Sequence, residues 1–122
     1  MDKLSKRQSG EHYEALAERF LIGKGLTSIE KNFHVKGGEL DLIMLDGPSI
    51  VFVEVRYRSS QYFGHAAETV NQSKVLKLIK AANVWLMKQG KSVHTTDFRF
   101  DLIAIHQHGQ QIEWIKNAIT QG

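Results

Sequence analysis

Residues 38–58 read GELDLIMLDGPSIVFVEVRYR. Two apolar runs flank residues 46–49, which contain the only proline of the chain and have the composition of a β-turn. The stretch therefore predicts a β-hairpin inside a core. Its apolar runs nevertheless contain three carboxylates, those of Glu39, Asp41 and Glu54. Burying an unpaired carboxylate costs several kcal/mol, so these residues need a partner that offsets the cost.

The register of this hairpin follows from its turn. Side chains alternate between the two faces of a strand, and a turn centred on residues 47–48 pairs residues whose numbers sum to 95. Asp41 then faces Glu54, and Glu39 faces Arg56. The opposite face is wholly apolar and consists of Leu40, Leu42, Met44, Val51, Val53 and Val55. This register places the charged residues on one face and only apolar residues on the other, so the pattern of the sequence supports it.

Asp41 opposite Glu54 is an unfavourable pair. Directly opposed residues have Cβ atoms about 4.5–5.5 Å apart, and like charges at that distance destabilise a sheet. Mg²⁺ would relieve the repulsion, since it binds one or two carboxylates together with waters and substrate phosphate. The alternative is that the pair lies partly solvated at a sheet end, with one carboxylate protonated or paired with a lysine.

The remaining sequence predicts one domain with an α/β (α+β) fold. The chain has 122 residues, of which 42% are hydrophobic and 24% charged, as in globular domains. Residues 1–8 are expected to form a flexible basic arm, and residues 9–122 the domain. Ser9 is expected to cap a helix that ends near Lys24, and a second helix is predicted from about Asn71 to Met87.

Strands complete a mixed β-sheet flanked by these helices. They are predicted near residues 26–33, on both sides of the hairpin turn, at residues 98–106 and at residues 112–115. The element order is therefore α-β-β-β-α-β-β. Within it, we expect Arg99 to contact Asp101, Trp85 and Trp114 to lie in the core or an interface, and all six histidines to lie at the surface.

Composition limits the classes of function. The net charge of +3 is compatible with a polyanionic partner, and the lack of cysteine excludes disulfides and thiolate metal sites. No apolar run approaches the roughly 20 residues that span a bilayer, and the N-terminus lacks the apolar region of a signal peptide. A cytoplasmic protein without a membrane partner is the expectation.

Five segments together resemble the bacterial YraN family, over nearly all of residues 9–118. They are GEHYEALAERFLIGKGL (10–26), GGELDLIMLDG (37–47), VFVEVRYR (51–58), NQSKVLKLIKAA (71–82) and FRFDLIAI (98–105). An acidic residue on one strand, followed by an acidic-x-basic tripeptide on the next, also resembles the wider PD-(D/E)xK nucleases. These nucleases include archaeal Holliday-junction resolvases and share a restriction-endonuclease-like fold, which the resemblance implies for this chain.

The resemblance also implies roles for single residues. Asp41 and Glu54 match the two carboxylates that bind Mg²⁺ or Mn²⁺, and the main-chain carbonyl of Val55 matches a further metal ligand. Glu14 matches the glutamate on the first helix of the resolvase branch, and Glu39 is a supporting residue typical of the YraN family. The alternative for Glu14 is a solvated position on its helix, paired with a neighbouring basic residue.

Arg56 occupies the basic position, where the nuclease pattern prefers lysine. Arginine stays protonated at ordinary pH and cannot act as a general base, although it can hold a phosphate oxygen or orient a water. Arg58, Lys74 and Lys77 are predicted to contact flanking phosphates of a nucleic acid; the alternative for each is a solvated charged surface.

Two functions follow from this resemblance. The first is a divalent-metal-dependent endonuclease similar to Holliday-junction resolvases, acting on branched or single-stranded DNA or on RNA, with DNA favoured. The second is a nucleic-acid-binding or assembly protein that has the nuclease fold but little turnover. The joint presence of Asp41, Glu54 and Glu14 favours the first, and Arg56 favours the second. Resolvases of this fold act as dimers, so a homodimer is expected.

Overall fold

The computed structural model describes residues 6–58, 71–106 and 109–119, and the side chains of residues 8–57 within the first of these ranges. Its elements are α1 (Lys6–Gly23), β1 (Thr27–Val35), β2 (Gly38–Asp46), β3 (Ser49–Arg58), α2 (Gln72–Lys88), β4 (Phe98–His106) and β5 (Gln111–Ile115). This order, α-β-β-β-α-β-β, confirms the prediction.

The five strands form one mixed sheet in the order β1-β2-β3-β4-β5. Neighbouring strands are antiparallel except β3 and β4, which are parallel. A parallel pair needs a crossover connection, and α2 lies on the connection between these two strands. β3 is therefore an interior strand that carries Glu54, with β2 on one side and β4 on the other.

The two helices cover different sets of sheet side chains. On α1, Tyr13, Ala17 and Leu21 recur at helical spacing and pack against a core that includes Leu42 and Val53. On α2, the buried residues Leu78, Ala82, Trp85 and Leu86 pack against a second core that includes Ile43 and Phe52. Among the described residues, neither helix has the length and apolarity needed to cross a membrane.

The sequence predicted the start of α2 correctly but not the start of α1. Helix α1 begins at Lys6, so the prediction that Ser9 caps it is wrong, and residues 6–8 of the predicted arm are helical. Residues 1–5 lie outside the described residues, and the flexible arm stays a prediction for them. Asn71 is the N-cap of α2, where its side chain accepts a hydrogen bond from the N–H of Lys74 at 2.9 Å.

The hairpin register is confirmed along most of its length. β2 and β3 pair from Asp46–Ser49 to Leu42–Val53, always between residues whose numbers sum to 95. Only residues 47 and 48 lie in the turn, and Gly47 has the positive φ of 59° that glycine adopts readily. The ladder ends at Leu42–Val53, one position before Asp41 and Glu54 would pair.

One face of β2 differs from the prediction. Leu42 and Met44 pack in the core under α1, but Leu40 packs in the core under α2. The strict alternation predicted for Leu40, Leu42 and Met44 is therefore wrong, and it breaks at Asp41. On β1 the neighbouring position is Asn32, which lies between the pairs Lys31–Leu42 and Phe33–Leu40 and has a φ of 54°.

Candidate functional site

The carboxylates of Asp41 and Glu54 meet where β2 and β3 stop pairing. Their side chains are within hydrogen-bonding contact, as the register predicts. Asp41 Oδ2 also accepts a hydrogen bond from the main-chain N–H of Val55 at 2.9 Å. The Asp41 side chain thus satisfies an N–H group that the ladder no longer pairs, and this contact holds the carboxylate between the two strands.

Glu54 is a buried carboxylate whose solvent-exposed fraction is 4%. Burial, followed by its contact with Asp41, raises the pKa of Glu54 to about 8. Its Oε2 atom is buried and makes no hydrogen bond of good geometry within the described part of the chain. A buried carboxylate oxygen in this state is costly unless a cation lies near it.

Two cations approach this oxygen atom of Glu54. Lys74 Nζ lies 3.2 Å from Glu54 Oε2, and Arg56 Nη2 lies 3.6 Å from it. Both act against the rise in the pKa of Glu54, but burial and Asp41 outweigh them. The predicted contact between Arg56 and Glu39 is absent: within the described residues, Arg56 pairs with Glu54 on its own strand.

Glu14 reaches the same site from α1. Its pKa is raised to about 7, mainly by burial and next by the charge of Asp41. A hydrogen bond from the side chain of Asn32 acts in the opposite direction and favours the ionised form. Three carboxyl groups from α1, β2 and β3 are therefore electrostatically coupled, as expected for a functional site.

Glu39 lies at the margin of this site. Its Oε2 is 3.2 Å from Nδ1 of His34 on the neighbouring strand, and the Glu39 side chain is 47% exposed. The geometry follows from the pairing of β1 with β2, which places His34 opposite Glu39. The expected contact of Glu39 with Arg56 is wrong because β2 and β3 have already separated at this point.

A cleft of about 290 Å³ opens beside the carboxylates. It is lined by His34, Gly37, Gly38, Glu39, Lys74 and Lys77. Lys74 thus borders both the cleft and Glu54, whereas Lys77 borders the cleft alone among the contacts described. The backbone of Arg58 ends β3, but its side chain lies outside the described residues, so its predicted phosphate contact stays a prediction.

The close approach of α2 to β2 forms the side of the cleft that contains Lys74 and Lys77. A Cβ atom at Gly38 would lie 2.5 Å from the main-chain oxygen of Lys77, so only glycine fits there without movement of the helix. Gly38 begins β2, and Lys77 is one turn along α2 from Lys74. The packing at Gly38 therefore sets the position from which Lys74 reaches Glu54.

The donors suit a hard divalent cation that brings further ligands with it. Among the described residues, no three His, Asp or Glu side chains are grouped closely enough to hold a metal ion by themselves. Asp41 and Glu54 supply two carboxylates, and one of them has a buried oxygen without a hydrogen bond. Mg²⁺ typically binds one or two carboxylates plus waters and phosphate oxygens, so the residues present fit it.

Sequence reasoning missed Asn32, and it allowed for a lysine paired with one of the two carboxylates without identifying Lys74 as that lysine. Asn32 was read as an ordinary strand residue, although asparagine is enriched at positive φ and inside a strand pattern could have signalled an irregularity. The contact of Lys74 with Glu54 has no local signal, because it depends on how α2 packs on the sheet.

A second ionic cluster lies apart from the carboxylate site. The buried Asp101 accepts hydrogen bonds from Arg99 Nε at 3.0 Å, Trp114 Nε1 at 2.9 Å and the N–H of Asn117 at 2.8 Å. This confirms the expected contact between Arg99 and Asp101 and shows a structural role for it. His106 is 4% exposed on β4, so the prediction that it lies at the surface is wrong.

Comparison with known proteins shows the family of this chain. Residues 13–105 match the profile of the Uncharacterised protein family UPF0102, which is the YraN family. This chain belongs to that family. It is 54% identical over 119 residues to a UPF0102 protein of Vibrio cholerae serotype O1 and 56% identical over 120 residues to one of Aliivibrio salmonicida, covering 98% of each chain. A Vibrio campbellii member is 49% identical over 122 residues and is covered completely.

Proposed function

We propose that this UPF0102 protein is a divalent-metal-dependent endonuclease that hydrolyses phosphodiester bonds in nucleic acid, with DNA as the expected substrate. The observation that carries the proposal is the contact between Asp41 and Glu54 at the separated end of β2 and β3, where the buried Oε2 of Glu54 makes no hydrogen bond of good geometry to any residue that the structure describes. Lys74, whose Nζ lies 3.2 Å from Glu54 Oε2, also lines the neighbouring cleft together with Lys77. The site supports the proposed chemistry.

Asp41, Glu54 and the carbonyl of Val55 would hold the metal ion. A strand residue directs its N–H and its carbonyl towards the same neighbouring strand, and the N–H of Val55 points to Asp41. The carbonyl of Val55 is therefore on the side of β3 that faces the carboxylates. Bound Mg²⁺ or Mn²⁺ supplies Lewis-acid polarisation of the phosphoryl group and a more acidic water molecule.

The reaction is an in-line displacement at phosphorus. The oxygen of a water molecule forms a new bond to phosphorus, the bond to one ester oxygen breaks, and the proton lost by the water balances the charge of the leaving oxygen. Arg56 stabilises the charge of the transition state and cannot remove a proton from water. Glu14 has a pKa of about 7, which suits proton exchange at neutral pH. It is the residue that would accept the proton lost by the water.

Nucleic-acid binding without turnover is the second candidate function. The observation that favours it is Arg56 at the basic position, since a guanidinium holds phosphate well and does not act as a base. Both functions share the carboxylates, the cleft and a phosphate ligand. They differ in whether an ester bond breaks, and that difference can be measured directly. A homodimeric state stays a prediction for both.

A cleavage panel tests the proposal. Labelled four-way junction, flap, single-stranded and duplex DNA are incubated with the protein and Mg²⁺ or Mn²⁺, next to a single-stranded RNA. We expect metal-dependent cleavage of at least one DNA substrate, and its loss in Asp41→Asn and Glu54→Gln. Cleavage that survives either substitution or the addition of EDTA would refute the assignment. Metal-dependent binding without any cleavage would establish the second function instead.

A further inference from the structure

We propose that Lys74, which reaches the site from α2, is the cation that contacts the phosphate group at the Asp41–Glu54 pair, and that the cleft beside it admits that phosphate. This inference rests on the proposed function and assigns one of its residues. It also changes the prediction for Lys74, which the sequence places among residues that grip flanking phosphates. The structure brings Lys74 to the carboxylates themselves.

The fold fixes the backbone of Lys74 in two ways. Its N–H donates to the side chain of the N-cap residue Asn71, so Lys74 occupies a defined position in the first turn of α2. One turn later, the contact of Gly38 with the Lys77 carbonyl holds the helix against β2. Lys74 is therefore positioned by local capping and by tertiary packing together.

We expect the Lys74 side chain to move when a metal ion and a phosphate bind. Its Nζ lies 3.2 Å from Glu54 Oε2, which is buried and makes no hydrogen bond of good geometry within the described residues. A divalent cation that binds this oxygen would replace the ammonium as the partner of Glu54. The flexible four-carbon stem of lysine then allows the ammonium to turn to the phosphate bound at the same metal.

Arg56 is less suited to this task. Its Nη2 lies 3.6 Å from the same oxygen, farther away than Lys74 Nζ at 3.2 Å. Arg56 also projects from β3 itself and is absent from the cleft lining. Lys74 borders the cleft and the carboxylate at once, so a phosphate that enters through the cleft meets Lys74 as it reaches Glu54. Arg56 then makes the smaller contribution to the phosphate contact, and it also balances the charge of Glu54.

The cleft accepts a ligand of limited size. Its volume of about 290 Å³ is at the lower end of the range for ligand pockets. Lys74 and Lys77 of α2 line it together with His34 and Glu39. Two lysines in one cleft suit a phosphate group of a nucleic-acid strand.

The absence of cysteine makes a direct test available. Lys74→Cys introduces the only thiol of the chain. Alkylation with bromoethylamine restores an ammonium on a side chain of lysine length, whereas alkylation with iodoacetamide gives a neutral side chain of similar size. We expect the aminoethylated protein to cleave the substrate at least ~10²-fold faster than the neutral one, the scale of one transition-state donor. Equal rates for the two forms would overturn the inference.

Two further variants distinguish a specific effect of Lys74 on the rate from a general effect of positive charge. Lys91→Ala removes the same charge at an exposed position beyond the C-terminal end of α2, and it should leave the rate unchanged. Arg56→Ala should lower the rate by less than the loss of the Lys74 ammonium does. A larger loss in Arg56→Ala would overturn the inference and return the phosphate contact to Arg56.

A binding measurement distinguishes failure of this inference from failure of the proposed function. The affinity for a fluorescein-labelled single-stranded DNA is measured with Ca²⁺ and with EDTA, for the aminoethylated and the neutral protein. We expect the neutral form to lose at least ~10-fold of the Ca²⁺-dependent affinity. If the natural chain cleaves nothing, the nuclease function fails, yet this difference still supports Lys74. Equal Ca²⁺-dependent affinity of the two forms would overturn the inference whether or not the protein cleaves.

Discussion

The Asp41 carboxylate accepts a hydrogen bond from the main-chain N–H of Val55 at the point where β2 and β3 stop pairing. The contact gives the aspartate next to the buried Glu54 a hydrogen-bond partner in the main chain. Asp41 has a structural partner of its own, and the repulsion is relieved in part by the raised pKa of Glu54. The same contact makes the stability of the hairpin end sensitive to the chemistry of residue 41.

Two substitutions at Asp41 should act in opposite directions. In Asp41→Asn, the side-chain oxygen still accepts from Val55 and the repulsion with Glu54 is gone, so we expect a gain of ~0.2–1 kcal/mol in the free energy of unfolding. In Asp41→Ala, the Val55 N–H loses its acceptor, and we expect a loss of ~1–3 kcal/mol. Urea denaturation without metal measures both, at a pH above the Glu54 pKa of about 8 so that the carboxylate of Glu54 is ionised. A clear loss in Asp41→Asn would show that the ionised carboxylate is itself stabilising.

Stability without metal should fall as pH rises from about 5 to about 8. The pKa of Glu54 is about 8 and that of Glu14 about 7 in the folded protein, against an ordinary value of 4.5. The folded state therefore holds protons in this window that the unfolded state has released. Each such proton lowers the free energy of unfolding by up to about 1.4 kcal/mol per pH unit as pH rises.

Glu54→Gln is the control for this pH dependence. The variant carries no titrating group at position 54, so its stability should fall less steeply between pH 5 and pH 8. We also expect it to be more stable than the natural chain at pH 8 in the absence of metal. Urea denaturation at several pH values checks both points. An unchanged slope in Glu54→Gln would mean that Glu54 does not hold a proton in this range.

Asn32 offers a test of the irregular position on β1. Its φ of 54° suits glycine, whereas alanine at this φ costs ~1–2 kcal/mol. We therefore expect Asn32→Gly to retain stability better than Asn32→Ala. Both variants lose the hydrogen bond to Glu14, which lowers the pKa of Glu14 in the natural chain. NMR titration of the Glu14 carboxyl carbon should show a higher pKa in both, and an unchanged pKa would remove Asn32 from the site.

Gly38 should tolerate no larger side chain. A Cβ at this position meets the Lys77 carbonyl oxygen at 2.5 Å, so Gly38→Ala must displace α2 and is expected to cost ~1–3 kcal/mol. Gly10→Ala is the matched control, because Gly10 lies inside α1 with open space around it. The control should gain ~0.5–1 kcal/mol from the better helix propensity of alanine. Thermal melts of the two variants decide the point, and equal effects would contradict the close packing at Gly38.

The fold was predictable because local patterns agree with each other. The alternation of Ile43 with Leu42 and of Phe52 with Val53 sets a register that the short turn also requires, and the observed ladder has that register. The break at Asp41 was not predictable, since Leu40 continues the apolar alternation in the sequence. The break arises next to Asn32 of the neighbouring strand, whose positive φ changes the backbone geometry of β1.

The site was predictable only where it follows from the hairpin. Asp41 and Glu54 come together through strand pairing, which the sequence encodes locally. The partners of Glu54 depend on which charged side chains the tertiary structure brings close to it. Arg56 prefers Glu54 to Glu39 because β2 has diverged, and Lys74 arrives from a helix whose docking depends on Gly38. His106 was misjudged for a similar reason, because β4 lies in the interior of the sheet.

Manganese binding tests the central claim, that Asp41 and Glu54 hold a divalent cation. Free Mn²⁺ is followed by electron paramagnetic resonance at pH 8 for the natural chain, Asp41→Asn and Glu54→Gln. Glu113→Gln, which removes one exposed carboxylate from β5, serves as the control. We expect Asp41→Asn and Glu54→Gln each to weaken binding by at least ~10-fold, because each removes one of two carboxylate ligands, while the control binds as the natural chain does. Equal Mn²⁺ affinity in Asp41→Asn and the natural chain, or no binding to the natural chain, would contradict the account.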